Sequence, residues 1–432
     1  MTASEGPTQR NLLDRLIVAK PGEVGAVATA FLLFFLLFVS YFMLRPVRET
    51  FGIAGGVENL QWLWTGTFLA MLLVVPLYGW VTAHMPRRRL LPILYSISAL
   101  VMAGFATSLL IDPANIWIAR AFYIWLSVMN LFVISLAWSL MVDLFDADQS
   151  HRLFGQIAAG ASLGGLTGPL ISGLLVTTLG EAGLLFLSSL LLLATLPCAR
   201  ALLAWRDRAG PRAGAPAPAR IGGSIWGGLT LIARSPYLIA ISVFILLLTA
   251  ATTFLYFEQA RIVQATFPDR TRQTQVFAAI DVLVQTLTIL IQIFFTGRLA
   301  RRLGVTALLV GVPLLMMAGF GMLALAATFP VLAFVMIVRR VGEYALIRPG
   351  REMLFTSVDT ETKYKAKNAI DTVVYRGGDA LSSWIYTAVA TLATIQVAAL
   401  VGALLAGLWA LVGYRIGRHH DDQPAVTARA PS

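Results

Sequence analysis

Apolar residues along this chain gather into twelve long runs, separated by short stretches rich in charge, glycine and proline. The runs are 24–44, 60–81, 90–111, 116–142, 153–179, 183–203, 238–263, 276–297, 305–328, 331–347, 369–390 and 392–412. Each is close to the ~17–25 residues that an α-helix needs to cross a bilayer. The first run is too long for a signal peptide and ends in Leu44-Arg45-Pro46, with no small-residue cleavage site, so it is expected to remain as a membrane helix. The pattern predicts an N-tail at 1–23, a six-helix bundle at 24–204, a linker at 205–237, a second six-helix bundle at 238–414 and a C-tail at 415–432. Within the linker, Arg, Gly, Ala and Pro predict a solvated segment to Arg220. Residues 221–237, with Ile225, Trp226 and Leu229, predict a short interfacial helix. The stretch after Tyr414 is expected to be disordered.

The two halves repeat each other. Run 2 leads into Gly79-Trp-Val-Thr-Ala-His84-Met-Pro86-Arg87, and run 8 leads into Gly297-Arg298-Leu-Ala-Arg301. Run 4 is followed by Asp148-Gln-Ser-His-Arg152, and run 10 by Asp359-Thr-Glu-Thr-Lys363. Run 1 ends on Tyr41 to Arg48 and run 7 on Phe254 to Arg261. Internal duplication of six membrane helices is a transporter signature and predicts a solute site between the halves, near mid-membrane. The expected fold is an all-α membrane protein of twelve transmembrane helices in two pseudo-symmetric six-helix bundles. Run 5 carries Gly160, Gly164 and Gly168 four residues apart on one face, a surface for close helix packing.

Composition agrees with this picture. Hydrophobic residues make up 58% of the chain, charged residues 13%, and mean hydropathy is +0.77, whereas soluble domains are about a quarter charged. The net charge of +11 is distributed by side rather than by patch. Of the 33 Lys and Arg, 24 fall on the side of both termini and five on the other, with Arg120, Arg339, Arg340 and Arg376 inside helices. That bias predicts a bacterial-type inner membrane protein with cytoplasmic termini and removes a nucleic-acid reading. The four histidines and the lone Cys198 have no metal-ligand spacing. The glycine-rich stretches lack the strand and Gly-Lys-Ser/Thr of a P-loop. No enzyme, no cofactor and no metal are expected.

Ionisable residues held within membrane helices mark solute or proton pathways. Arg45, Arg48 and Glu49 stand at i, i+3 and i+4, which puts both guanidiniums on one face and Glu49 within reach of Arg45; guanidinium forks suit phosphate or carboxylate. Run 10 carries Arg339, Arg340 and Glu343, then Arg348, Arg351 and Glu352. The spacing predicts Arg339–Glu343 and Arg348–Glu352 pairs, with Arg339 or Arg340 in the cavity and the later cluster at a gate. Polar stripes at helical spacing predict a wet centre: Asp281, Gln285, Thr288 and Gln292; Arg120, Tyr123, Ser127 and Asn130; and Asp371, Tyr375 and Asp379 beside Arg376. Lys363, Lys365 and Lys367 are expected as surface charge at the cytoplasmic mouth.

The Gly-basic turns resemble the loop motif of the major facilitator superfamily, and Gly164–Gly173 its helix-5 Gly-Pro motif. More narrowly, the chain resembles the ATP/ADP translocase family within that fold, through Tyr41-Phe-Met-Leu-Arg45-Pro-Val-Arg48-Glu49, Glu258 through Phe267-Pro268, and Lys363-Tyr-Lys365-Ala-Lys367-Asn-Ala-Ile-Asp371. The resemblance implies that Arg48 and Glu258, with Arg261 beside it, serve transport. It departs where a helix-11 lysine would stand, here Arg376-Gly377-Gly378-Asp379, and where a helix-4 acid would stand, Asn130 being the nearest polar residue. The expectation is a monomeric secondary transporter in the lipid bilayer, exchanging an anionic, phosphorylated solute of the nucleotide type. Proton-coupled organic-anion symport, with Glu258, Asp281 or Asp379 as carrier, and lipid transport or scrambling are the alternatives. An Arg48–Glu258 pair is expected across the empty site.

Overall fold

A computed structural model describes residues 19–20, 22–208, 225–358 and 360–422. Of the predicted solvated linker, residues 205–208 are helical and continue the helix before them, and the rest, with most of the N-tail, the last residues of the C-tail and the Lys363 side chain, lies outside the described residues. Eight helices are long and apolar enough to cross a membrane. Two of these are pairs joined through a glycine with positive φ, Gly180 at 65° and Gly304 at 74°. A side chain in that backbone region is strained, so glycine lets the chain turn from one helix to the next. With two further helices rich in charge, the described residues give twelve crossings. They are α1 (Val24–Ala54), α2 (Leu60–His84), α3 (Arg87–Ile111), α4 (Ile116–Leu144), α5 (147–179), α6 (181–208), α7 (Pro236–Thr266), α8 (270–303), α9 (305–325), α10 (329–354), α11 (360–392) and α12 (Ile395–Asp421).

Side-chain caps start several of these helices after tight turns. Asn115 accepts from the Trp117 amide at 2.9 Å to begin α4, and Asp269 from the Arg272 amide at 2.9 Å to begin α8. Such caps satisfy amides that the first turn leaves without partners. Near the start of α1, burial raises the Glu23 carboxyl, but bonds from Arg152, the Lys20 amide and Gln149 outweigh it and pull the group down to about 2.

The glycine face of α5 packs on α1. A Cβ at Gly164 would sit 2.6 Å from the Phe35 carbonyl oxygen, and one at Gly168 2.8 Å from the Met43 nitrogen. Each half has its own apolar core. Ile53, Leu60, Leu63 and Tyr123 of the first half, however, join the core of the second. The last helix of each half is tied to the third: Asp207 of α6 pairs with Arg88 of α3, and Asp421 of α12 accepts from the Val305 and Thr306 amides of α9 at 2.9 and 3.0 Å.

Helix ends differ from the sequence reading. Helix α1 continues ten residues past Leu44, so Arg45, Arg48 and Glu49, which lie beyond the first apolar run, are helical and inside the bundle. It can do so because their charges find partners there. Helix α12 is ordered to Asp421, where a disordered tail was expected, because the Asp421 carboxylate caps α9. From Ile225, the first residue described after 208, the linker helix runs to Arg234, ending before the expected 237, and α7 starts at Pro236 behind the Ser235 cap. Helix α11 starts at Thr360 rather than 369, so Lys365 and Lys367 belong to its first turns.

Candidate functional site

Between the halves lies a cavity of about 540 Å³, within the size range of small-molecule sites. Four lining residues come from the first half: Arg45, Arg48 and Glu49 on α1 and Trp64 on α2. The other 18 come from the second half, on α7, α8, α10 and α11. Seven arginines line it (Arg45, Arg48, Arg339, Arg340, Arg348, Arg351 and Arg376) against five carboxylates (Glu49, Glu343, Glu352, Asp371 and Asp379). Trp64, Tyr256, Tyr344 and Tyr375 supply aromatic surface.

Each arginine has an acidic neighbour. Arg48 Nη2 donates to Glu49 Oε1 at 2.6 Å, and its guanidinium lies over the Tyr123 ring. Arg340 Nη1 meets Asp281 Oδ1 at 2.5 Å, while Arg45 Nε is 3.9 Å from the other carboxylate oxygen and Arg45 Nη2 donates to the Tyr344 hydroxyl at 3.2 Å. Asp281 therefore joins an arginine of each half from behind the cavity wall. Glu343 takes Arg339 at 2.9 Å and Arg348 at 3.4 Å. Arg351 pairs with Asp371 at 3.2 Å and Arg376 with Asp379 at 3.5 Å.

These pairs leave guanidinium donors over. Arg340 is only 6% exposed, yet its Nε and Nη2 have no hydrogen-bond partner among the described residues. The Nε atoms of Arg48, Arg339 and Arg351 are in the same state. Buried donors without partners are costly, and because neighbouring atoms cover these nitrogens, an anion in the cavity would reach them only as the arginines turn off their carboxylates.

Several expectations are corrected. Glu258 does not meet Arg48. It is buried toward α11, where Tyr386 donates to it at 2.7 Å and Arg261 stands 3.6 Å away. Tyr256 and Gln259 occupy the cavity face of α7, and at about 100° per residue Glu258, two residues beyond Tyr256, is turned away. Arg261 shares that outer position. Asn130 borders a separate small apolar cavity inside the first half. Glu49 pairs with Arg48, not Arg45. Arg348 turns to Glu343, and Glu352 takes Lys367 at 2.5 Å, so the expected Arg348–Glu352 pair is absent. The cluster read as a gate lines the cavity itself.

Of the three polar stripes, only that of Asp371, Tyr375 and Asp379 lines the cavity. The α8 stripe bonds to neighbouring helices: Asp281 to Arg340, and Gln292 to the Tyr344 carbonyl at 3.1 Å. Gln285 packs against Gly165. On α4, Arg120 donates to the Gly55 carbonyl at 2.8 Å and Tyr123 to the Tyr256 hydroxyl at 3.0 Å. Sequence reasoning missed Trp64, Thr252, Tyr256 and Tyr344, since aromatic and hydroxyl residues within apolar runs read equally well as packing.

The halves meet at the ends away from the termini. Arg270 on α8 pairs with Glu181 of the first half, donates to the Pro113 carbonyl at 2.6 Å and lies over the Phe51 ring. Trp384 on α11 donates to the Thr65 hydroxyl at 3.0 Å and packs edge-on against Trp62. Thr50 and Thr274 share a bond of 2.9 Å.

The family model described as Major Facilitator Superfamily matches residues 26–358. ADP,ATP carrier protein 1 of Chlamydia muridarum (strain MoPn / Nigg) is 23% identical over 420 residues, covering 87% of this chain and 77% of that protein. Among solved structures, a bacterial homologue of the iron transporter ferroportin in the inward-facing state aligns with a TM-score of 0.67 at 14% identity, covering 91% of this chain and 99% of that one. The nucleoside transporter NupG aligns at 0.57 and 13% identity, covering 94% and 100%.

Proposed function

This chain belongs to the Major Facilitator Superfamily, and from that premise we propose that its cavity carries an anionic, phosphorylated solute, with exchange of ATP-type and ADP-type nucleotides as the leading form. As a member it is a multi-pass membrane protein and a secondary transporter, not an enzyme. The observation that carries the finer reading is the excess of arginine over carboxylate in the cavity lining, seven against five. Guanidinium forks grip phosphate oxygens two at a time, and Trp64 and Tyr256 offer flat surfaces on which a base can lie. The relation to an ADP,ATP carrier supports the same reading.

An entering phosphate competes for arginines already paired with Glu49, Glu343 and Asp379, so binding trades one set of charge contacts for another. With the termini in the cytoplasm of an inner membrane, the cavity opens inward and the Arg270 contacts close its outer end. Alternating access then consists in breaking that outer contact as the inner ends of the halves approach.

One specific feature supports proton coupling as a second reading. Asp379 is buried in the cavity wall and holds Arg376 only at 3.5 Å, the loosest ion pair of any carboxylate lining the cavity, so of these it is the freest to exchange a proton. Asp281, bridging Arg45 and Arg340, is engaged in structure instead.

Purified protein in liposomes decides between these. Uptake of labelled ADP that requires internal nucleotide and ignores an imposed pH gradient is the expected result. Uptake driven by the pH gradient and abolished by Asp379→Asn supports the second reading. Absence of both ADP and ATP uptake removes the nucleotide assignment.

A further inference from the structure

Helix α10 contains a π-helical turn at Glu343–Ile347, and α8 contains another at Gln292–Thr296. The cause of the first is legible two residues beyond it. Pro349 has no N–H to give to the Ala345 carbonyl four residues back, and its ring crowds that oxygen. Widening the turn relieves the crowding, and the Arg348 amide bonds to the Glu343 carbonyl, five residues back. Two carbonyls lose their regular partners in consequence, those of Tyr344 and Ala345. Within a membrane a backbone acceptor left without a partner is costly, and α8 provides replacements for both. Gln292 donates to the Tyr344 carbonyl at 3.1 Å, and the Thr296 hydroxyl donates to the Ala345 carbonyl at 2.8 Å.

The extra residue in the turn changes which side chains face the cavity. A register shift of one residue rotates everything beyond it by ~100° about the helix axis. The wide turn also sets residues five apart above one another, which is how Arg348 reaches Glu343 instead of Glu352. Upstream of the turn, Arg339 and Arg340 face the cavity; downstream, Arg348 and Arg351 face it as well.

We infer that Gln292 and Thr296 are positioning residues for the anion site: by holding the π turn of α10 open, they aim Arg348 and Arg351 into the cavity. The inference rests on the cavity being the solute site, and its test includes an arm that does not depend on which solute is carried.

That arm uses cysteine labelling. With the single native cysteine removed by Cys198→Ser, Arg348→Cys is treated with a water-soluble maleimide, with and without Gln292→Leu plus Thr296→Val. The labelling rate falls several-fold in the combined variant, and Thr296→Ser, which keeps the donor, preserves it. Pro349→Ala, which removes the cause of the wide turn while leaving α8 intact, produces the same fall and serves if the combined variant does not fold. Labelling unchanged by both changes overturns the inference.

The transport arm uses labelled ADP with Arg348 in place. The combined variant raises KM several-fold with a smaller change in maximal rate, and Thr296→Ser alone keeps KM near that of the unmodified protein. An unchanged KM also overturns the inference. If the unmodified protein carries no ADP, the nucleotide reading fails while the labelling arm still decides the role of Gln292 and Thr296.

Discussion

Arg340 shows what a single side chain contributes on each side of the stability and transport ledger. It is almost wholly buried, holds Asp281 at 2.5 Å and has two further nitrogens, both covered, without a hydrogen-bond partner among the described residues. Removing one partner of a buried ion pair typically costs about 3–5 kcal/mol, because the other charge is left unpaired, whereas an apolar replacement of both is often close to neutral. Arg340→Ala should therefore lower the midpoint of thermal unfolding in detergent substantially, since Arg45 at 3.9 Å is a poor substitute partner. Arg340→Met combined with Asp281→Leu should recover most of that midpoint without recovering transport. A double variant as unstable as the single one would show that the pair is not the source of the loss. At this scale the sequence located charge well and direction poorly. Arg45, Arg48, Arg339, Arg340, Asp371 and Asp379 are conspicuous as charges within apolar runs. Whether a charge faces the cavity depends on rotation about the helix axis, and that is why Glu258 and Arg261 were expected there but lie on the far side of α7.

Helices pack here through glycine where backbones must approach and tolerate glycine where they need not. At Gly168 a Cβ would lie 2.8 Å from the Met43 nitrogen and 2.9 Å from the Phe42 Cβ, so α1 would have to move away from α5. Overpacking of this kind costs about 1–3 kcal/mol. Gly104 on α3 has no atom within 4 Å of that position, and there a methyl group should be neutral or slightly stabilising through helix propensity. The expected outcome is a lower unfolding midpoint and less monodisperse protein for Gly168→Ala, and no loss for Gly104→Ala. Equal behaviour of the two would remove the packing argument. The four-residue glycine spacing made this face readable beforehand, as the twelve apolar runs made the helices readable. Helix ends were not readable. Hydropathy stops at the first charge, but the helix continues wherever that charge is paired inside, as in α1. The wide turns have no periodic signature either, and only Pro349 in α10 hints at one.

At the scale of the molecule, closure is concentrated in a few contacts between halves. Arg270 alone joins Glu181, the Pro113 carbonyl and the Phe51 ring across the interface. Arg270→Ala should shift the population toward opening on that side. In a Cys198→Ser background, a thiol introduced by Gln259→Cys should react faster with a membrane-impermeant reagent added on the side away from the termini. An unchanged rate would mean that the Trp62–Trp384 and Thr50–Thr274 contacts suffice to keep that end shut. The division of the chain into two like halves was visible in its repeated motifs, but their unequal share of the cavity was not. Eighteen of its lining residues belong to the second half and four to the first. Copies that begin alike are free to specialise. If the cavity is the solute site, as proposed, cargo travels in the frame of the second half as the halves rock, like a load on a carriage, while the first half serves as the wall against which the carriage seals. Mutations that alter diet should therefore accumulate in one copy, and those that alter pace in the other.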